Sequence, residues 1–209
     1  MPETTSSTYA ARKRRHLAVS LRSDEVVDAL RHLASSLLPL LCAATSATSE
    51  LEEGSRCTLR LVESGLIVSS PGAAAQPLHS DTDGSATSRE ARTFKLQIGT
   101  VNTSEAMGPL EVVPGSHVWA SAAGPVPAAD SRTVALTAPP GAVVVYDARL
   151  WHRGGANKSR RKRPVFYITV IAPGGRVPGG LPFTVHPEDA GCFVLTEGGL
   201  EDRFCREGR

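Results

Sequence analysis

Apolar residues recur at helical spacing in the first part of the chain that has a regular pattern. Ser23 is a suitable N-cap, and Asp24 and Glu25 follow it in the first turn, where negative charge stabilises the amino end of a helix. The apolar positions that repeat at this spacing are Val26, Val27, Leu30, Leu33 and Leu37. The pattern predicts an amphipathic helix that packs against the outside of a sheet.

Beyond residue 57 the pattern changes to short apolar runs that are separated by Gly, Pro, Asn and Asp, which is typical of β proteins. We predict strands near residues 58–62, 66–69, 93–101, 110–113, 133–137, 142–146 and 165–171. In TFKLQIGTV, Phe94, Leu96 and Ile98 alternate with Lys95 and Gln97, which predicts a strand with one buried face. GAVVVYD is an unbroken apolar run after a Pro-Pro-Gly turn, and it predicts a strand that is buried on both faces.

The order of these elements predicts an antiparallel fold. No segment of helical periodicity separates the strands, which argues against a parallel sheet with crossover helices, and an antiparallel barrel or sandwich fits. The 19 glycines, the 15 prolines and the low aromatic content of 5% also favour a loop-rich β fold. A length of 209 residues suits one domain. We therefore predict a disordered or targeting tail over residues 1–20 and a single, mainly β domain over residues 21–209, with one or two N-terminal helices.

Composition limits the partners and the cellular compartments that are expected for the protein. The formal net charge of +2 gives no overall attraction to nucleic acid or to a membrane surface. The four cysteines have no metal-finger spacing, so free thiols in a reducing compartment are expected. No secretory signal is evident, and the most apolar stretch, residues 37–47, is too short to span a bilayer. An intracellular location is expected, either cytoplasmic or, if the first 20 residues are a transit peptide, organellar.

A candidate metal site is spread over two distant stretches. QPLHSDTDG contains a His-x-Asp pair, His79 and Asp81, and His152 follows the strand that is predicted at 142–146. In a closed antiparallel barrel the three side chains can converge, and two imidazoles with one carboxylate are the ligand set of non-haem Fe(II) oxygenases, which leaves open positions for a keto acid and dioxygen. The alternative for the His-x-Asp pair is a surface turn in which Asp81 caps the next segment.

Basic and amide side chains supply a candidate cosubstrate site. A 2-oxo acid that chelates iron leaves its second carboxylate pointing away from the metal, and a guanidinium is its natural partner. Arg163 lies eleven residues after His152, at the entry to a predicted strand, and Arg161 is the reserve candidate from the same run. A solvated basic face is the alternative for this run. Gln97 either points into the barrel and touches the cosubstrate or faces water.

Three stretches, QPLHSD, GPLEVVPGSH and WHRGGANKSRRKRP, together resemble the phytanoyl-CoA dioxygenase (PhyH) family of Fe(II)/2-oxoglutarate-dependent oxygenases. The resemblance covers about residues 57–173. It implies a double-stranded β-helix, or jelly roll, with His79, Asp81 and His152 as iron ligands and Arg163 as the clamp for 2-oxoglutarate. Two features depart from the family pattern: Met107 stands where members often have Asn, and the region before the His-x-Asp pair is short.

The resemblance implies an enzyme that hydroxylates an unactivated C–H bond of a small or lipid-like substrate and releases succinate and CO₂. Its cofactors would be Fe(II), 2-oxoglutarate and O₂, with ascorbate as a reductant. The alternative is a non-catalytic or degenerate cupin-like jelly roll that binds a metal or a ligand. We expect a small-molecule substrate, no nucleic-acid or membrane partner, and a monomer or homodimer. The basic run KSRRKR does not change this expectation, because the rest of the chain lacks a basic surface with interleaved aromatics.

Overall fold

The computed structural model describes residues 13–19, 21, 24–46, 58–82, 93–118, 132–172, 193–196 and 199–202. One long helix, α1 (Asp24–Ser46), begins with Asp24 and Glu25 in its first turn, as predicted. Its buried positions, Leu30, Ala34, Leu38 and Leu41, recur at helical spacing. Of the predicted apolar positions, Leu30 is buried, and Val26, Leu33 and Leu37 are partly buried against the same core. Ser23, the predicted N-cap, lies outside the described residues. No helix in the described ranges combines the length and apolarity that a bilayer crossing requires.

Ten strands make up the rest of the described fold, together with 3-10 turns at Glu105–Met107 and Ser116–Val118. In chain order the strands are β1 (Arg14–Ala18), β2 (Leu59–Ser69), β3 (Thr93–Gly99), β4 (Leu110–Val112), β5 (Val134–Leu136), β6 (Val143–Asp147), β7 (His152–Gly154), β8 (Arg163–Ile171), β9 (Phe193–Thr196) and β10 (Gly199–Asp202). A large sheet has the order β10-β9-β2-β8-β3-β6, with β1 also paired to β2, and a small sheet has the order β5-β4-β7. Every strand pair is antiparallel, which confirms the predicted class.

The large sheet is covered on both faces. One face packs on α1 through a core that includes Leu59, Leu96, Ile168 and Val170, and the other face meets the small sheet through a second apolar cluster of Leu110, Val112 and Tyr146. The expectation that β3 has only one buried face is therefore wrong, because Thr93 and Lys95 on its other face are buried as well. These polar residues lie in the interior, on the face of β3 opposite α1.

The predicted strands at 58–62 and 66–69 form one strand of 11 residues, β2, with an irregularity in register between Leu61 and Glu63. Gly65 interrupts the apolar pattern of the sequence without ending the strand. A Cβ atom at Gly65 would lie 2.9 Å from the hydroxyl oxygen of Tyr167 on the neighbouring strand β8. The glycine therefore leaves room inside the sheet for the side chain of Tyr167. The sequence pattern alone does not distinguish such a glycine from one in a turn.

Strand β1 lies within residues 1–20, where the sequence analysis predicts a tail. It pairs with β2 from Arg14 opposite Ser69 to Ala18 opposite Gly65. Strand β9 pairs with β2 only at Leu59 and Arg60, so the rest of that edge offers unpaired backbone groups that β1 satisfies. Residues 14–18 therefore form a strand and not the predicted tail. The open edge of β2 offers hydrogen-bond partners to this segment, although its apolar pattern is weak.

Substitutions in α1 test the packing of the helix on the large sheet. We expect Leu38→Ala to lower the free energy of unfolding by about 2–5 kcal/mol, because it leaves a cavity in the core. The matched control is Leu40→Ala, which should change the free energy of unfolding by less than about 0.5 kcal/mol. Leu38 is 1% exposed and Leu40 is 62% exposed. Urea denaturation followed by circular dichroism measures both, and equal losses would contradict this packing.

Candidate metal centre and anion site

The segment that carries the His-x-Asp pair runs beside β7 as an additional, irregular strand. The backbone N–H of Gln76 donates to the carbonyl of Gly154, and that of Asp81 donates to the carbonyl of Ala148. Between these contacts, His79 and His152 exchange two backbone hydrogen bonds, of 3.0 and 2.8 Å. Alternate residues of an extended chain point to the same side, so His79 and Asp81 both face His152.

The three predicted ligands come together at one point. One candidate ligand atom from each of His79, Asp81 and His152 lies within 4.8 Å of the others. The imidazole centroids are 4.5 Å apart, and Oδ2 of Asp81 lies 3.5 Å from Nε2 of His152. His152 is buried, and the other two residues are half-buried. Residues that are more than seventy positions apart in the sequence thus form one cluster at the edge of the small sheet.

The backbone orients both imidazoles in the same way. Nδ1 of His79 lies 2.9 Å from the carbonyl oxygen of Pro77, and Nδ1 of His152 lies 2.8 Å from that of Leu150. A carbonyl only accepts, so each Nδ1 carries a proton, and Nε2 is then the nitrogen with the lone pair in a neutral imidazole. Burial, opposed in part by the Asp81 carboxylate, lowers the pKa of His152 and favours the neutral form that binds metals.

These side chains fit a divalent cation. Oδ2 of Asp81 is buried and accepts no hydrogen bond among the described residues, and it lies between Nζ of Lys95 at 3.4 Å and Nε2 of His152. A buried carboxylate oxygen with the Lys95 ammonium on one side and imidazole nitrogens on the other has the composition of the two-histidine, one-carboxylate site that suits Fe(II). The assignment of His79, Asp81 and His152 as metal ligands stays a prediction.

The motif GPLEVVPGSH supports the strand that delivers His152. It forms β4, which pairs with β7 so that Val112 lies opposite His152. The hydroxyl of Ser116 accepts the N–H of Trp151 at 2.8 Å. Gly108 has a φ of 67°, and a Cβ atom there would collide with the backbone of Gly155 and its neighbour. The motif therefore packs against β7 and holds the strand that carries the second histidine, His152.

A buried polar row lies across the large sheet next to the trio, and its residues were not among those predicted for the site. The row crosses four neighbouring strands, with one residue on each and each residue directly opposite the next: Glu63 on β2, Thr169 on β8, Lys95 on β3 and Tyr146 on β6. Nζ of Lys95 lies 2.8 Å from Oε2 of Glu63, and the hydroxyl of Thr169 donates to the same oxygen. The polar positions of the β3 alternation are the signal from which Lys95 could have been found.

Charge in this row is set by the neighbouring groups. Burial lowers the pKa of Lys95, but the carboxylates of Asp81 and Glu63 together raise it by more than burial lowers it. The net shift is therefore upward, and Lys95 is an ammonium ion. Burial and then the Asp81 carboxylate raise the pKa of Tyr146 well above its ordinary value. The phenol of Tyr146 is therefore neutral, and its hydroxyl accepts a hydrogen bond of 3.1 Å from Nε2 of Gln97.

A cavity between the two sheets is lined by both Gln97 and Arg163. Arg163 begins β8, as predicted, and is buried, and its Nε has no hydrogen-bond partner among the described residues. Burial, and secondarily the charge of Arg14, lowers the pKa of Arg163 to about 10, which still leaves it charged at neutral pH. Arg161 is exposed and does not line the cavity, so the structure does not bring the reserve candidate to this site.

The loop before Arg163 is held by Asn157, which is 1% exposed. Its Nδ2 donates to the carbonyls of Ser69 and Arg161 at 2.9 and 2.8 Å, and its Oδ1 accepts from Ser159. These bonds tie the loop to the end of β2. They direct Arg161 outward while Arg163 enters the sheet with its side chain in the cavity.

Removal of Lys95 tests the buried row. We expect Lys95→Met to lower the free energy of unfolding by about 3–5 kcal/mol, because the buried Glu63 carboxylate loses this charge partner. The double variant Lys95→Met/Glu63→Gln should lose less than the sum of the two single variants, because each change removes the same contact. Lys158→Met, at an exposed position, is the matched control. Strictly additive losses in urea denaturation would contradict a coupled pair.

The model of the family described as phytanoyl-CoA dioxygenase (PhyH) matches residues 3–165. A curated relative, dioxygenase trt7 of Aspergillus terreus (strain NIH 2624 / FGSC A1156), is 31% identical over 107 residues, which are 48% of this chain and 37% of that protein. Thus the match spans little more than a third of that relative.

Among solved structures, the chain is similar to the non-heme alpha ketoglutarate dependent carbocyclase SnoK from nogalamycin biosynthesis, with a TM-score of 0.55, 19% identity and coverage of 80% of this chain and 65% of that one. It is also similar to the non-heme monooxygenase ThoJ, with a TM-score of 0.51, 18% identity and coverage of 64% and 52%. These likenesses confirm the predicted jelly-roll fold. Because the family model covers more than half of its residues, this chain belongs to the phytanoyl-CoA dioxygenase (PhyH) family.

Proposed function

We propose that the protein is an Fe(II)/2-oxoglutarate-dependent oxygenase that hydroxylates an unactivated C–H bond of a small or lipid-like molecule. The observation that carries the proposal is the convergence of His79, Asp81 and His152, together with a cavity between the sheets that is lined by Arg163, whose buried Nε has no hydrogen-bond partner among the described residues. Membership of the family and the dioxygenase relative support the same class of chemistry. In this reaction 2-oxoglutarate, O₂ and R–H give succinate, CO₂ and R–OH, with one oxygen atom of O₂ in each of succinate and the alcohol.

The chain's own residues would hold and orient the reactants. A ferrous ion bound by the trio would supply the redox chemistry that couples oxidation of the keto acid to oxidation of the substrate. The Nδ1–H bonds to Pro77 and Leu150 keep both imidazoles ready to bind through Nε2. Lys95, held by Glu63, faces Asp81 and limits the rotation of its carboxylate.

Arg163 and Gln97 would hold the cosubstrate. A dicarboxylic keto acid bound at the metal through its 2-oxo acid end can extend along the cavity, with its second carboxylate on the guanidinium of Arg163. Gln97, bonded to Tyr146 beside His152, lines the same cavity and can donate to an oxygen of the acid. The apolar residues around them, including Leu110 and Val144, line this cavity and would shield the bound acid from water.

Anaerobic titration with Fe(II) and 2-oxoglutarate tests the proposed centre. The wild-type protein should give a weak visible charge-transfer band, because the keto acid chelates the metal. His79→Ala and Arg163→Ala should lose at least about 90% of the band at the same concentrations, since each removes a charge-assisted or coordinating contact. His32→Ala and Arg161→Ala, both at exposed positions, are the matched controls and should titrate like the wild-type protein. A wild-type protein that binds neither component would overturn the proposal.

Turnover distinguishes an enzyme from a metal-binding jelly roll without activity. With Fe(II), ascorbate and O₂ present, we expect the wild-type protein to convert 2-oxoglutarate slowly to succinate and to do so faster when a metabolite extract supplies its substrate. The His152→Ala variant should give no succinate above the blank. Binding of Fe(II) and 2-oxoglutarate with no succinate under any condition would favour the non-catalytic alternative.

A further inference from the structure

Two guanidinium groups, one of them that of the cavity-lining Arg163, share one buried hydroxyl. Nε of Arg14 donates to Oγ of Ser69 at 3.1 Å, and Nη2 of Arg163 donates to the same oxygen at 3.3 Å. Ser69 is 0% exposed. Arg14 stands on β1 and Arg163 on β8, on opposite sides of β2, which carries Ser69 between them. The contact therefore joins three strands through one oxygen atom.

This arrangement leaves donors without acceptors. A serine hydroxyl has two lone pairs and one proton, and here the two guanidinium groups use both lone pairs. No acceptor for the Ser69 proton, and none for Nε of Arg163, is present among the described residues. No carboxylate of the described ranges lies within 4 Å of either guanidinium. One buried and one half-buried cation and a free O–H thus lie together, and the described residues supply no anion to them.

Arg14 also connects the anion site to the strand of the second histidine. Its Nη2 donates to the carbonyls of Gly154 and Gly155 at 3.3 and 3.0 Å, and to that of Ala74 at 3.3 Å. Gly154 ends β7, which begins with His152. One side chain from β1 therefore touches the strand of the predicted metal ligand and the hydroxyl beside the predicted clamp.

We propose that Arg14 is a positioning residue for the cosubstrate. It orients the Ser69 hydroxyl so that its proton points to the carboxylate on Arg163, and it makes the site selective for a 2-oxo acid with a second carboxylate. This inference rests on the proposed function, and it makes β1 part of the cosubstrate site. A purely structural Arg14 that fastens backbone carbonyls would affect the binding of every 2-oxo acid equally, whereas the proposed role affects only acids with a distal carboxylate.

The test compares two 2-oxo acids on the Fe(II)-loaded protein without oxygen. The Kd of 2-oxoglutarate and that of 2-oxopentanoate, which lacks the distal carboxylate, are measured from the charge-transfer band. We expect Arg14→Gln to weaken 2-oxoglutarate about tenfold or more, as for loss of a charge-assisted contact, and to change 2-oxopentanoate less than about twofold. Arg15→Gln, at the next and exposed position of β1, is the matched control and should change neither Kd.

Ser69→Ala provides a second route to the same answer, because it keeps the carbonyl bonds of Arg14 and removes only the shared hydroxyl. It should also weaken 2-oxoglutarate selectively, and it decides the question if Arg14→Gln does not fold. Equal weakening of both acids, or an unchanged preference for 2-oxoglutarate in both variants, would overturn the inference while leaving the proposed function intact. A wild-type protein that binds no 2-oxo acid would overturn the proposed function and this inference with it.

Discussion

The candidate centre depends on the two backbone hydrogen bonds that His79 and His152 exchange. Side chains on directly opposed residues of an antiparallel pair stand on the same side, so this contact alone places both imidazoles together. The two-residue period of the extended chain then adds Asp81 to the same side. A shift of one residue in this pairing would turn His79 and Asp81 away from His152, because each residue of the segment would exchange faces. Strand β4 on the far side of β7 holds the register.

The interior of this fold is unusually polar on one side. The face of the large sheet that meets α1 is a conventional apolar core, whereas the opposite face carries Glu63, Lys95, Thr169 and Arg163, all buried. Buried charges are costly unless they are paired, and Lys95 balances Glu63 and Asp81 at one end of this face. At the other end Arg163 and Arg14 have no such balance in the described chain. The uneven distribution is consistent with a cation bound near Asp81 and an anion bound near Arg163.

Several features of the fold and the site were predictable because they depend on local chemistry. The helical spacing of the apolar residues from Val26 to Leu37 predicts a helix with one apolar side, and this side of α1 packs on the sheet. The alternation around Leu96 identified a strand, although the expectation that only one of its faces is buried was wrong. His79, Asp81, His152 and Arg163 were named as candidates from residue types, spacing and the family resemblance, and the structure brings the first three together. Lys95 and Arg14 were not assigned to the candidate site: the alternation identifies Lys95 as a polar position but not as a buried one, and a basic run does not show which of its charges is partly buried.

The sequence by itself determined the helix, most of the strands, the antiparallel class and the residues that carry the candidate chemistry. All of these follow from the periodicity of the backbone and from the chemistry of individual side chains, which act over a few residues. Only the tertiary structure decided that Arg14–Ala18 joins the sheet, that β2 passes unbroken through Gly65, and that Arg163 rather than Arg161 enters the cavity. These outcomes depend on which strand edge is open and which side chain approaches from a neighbouring strand. Such relations arise between residues that are distant along the chain, and no local pattern records them.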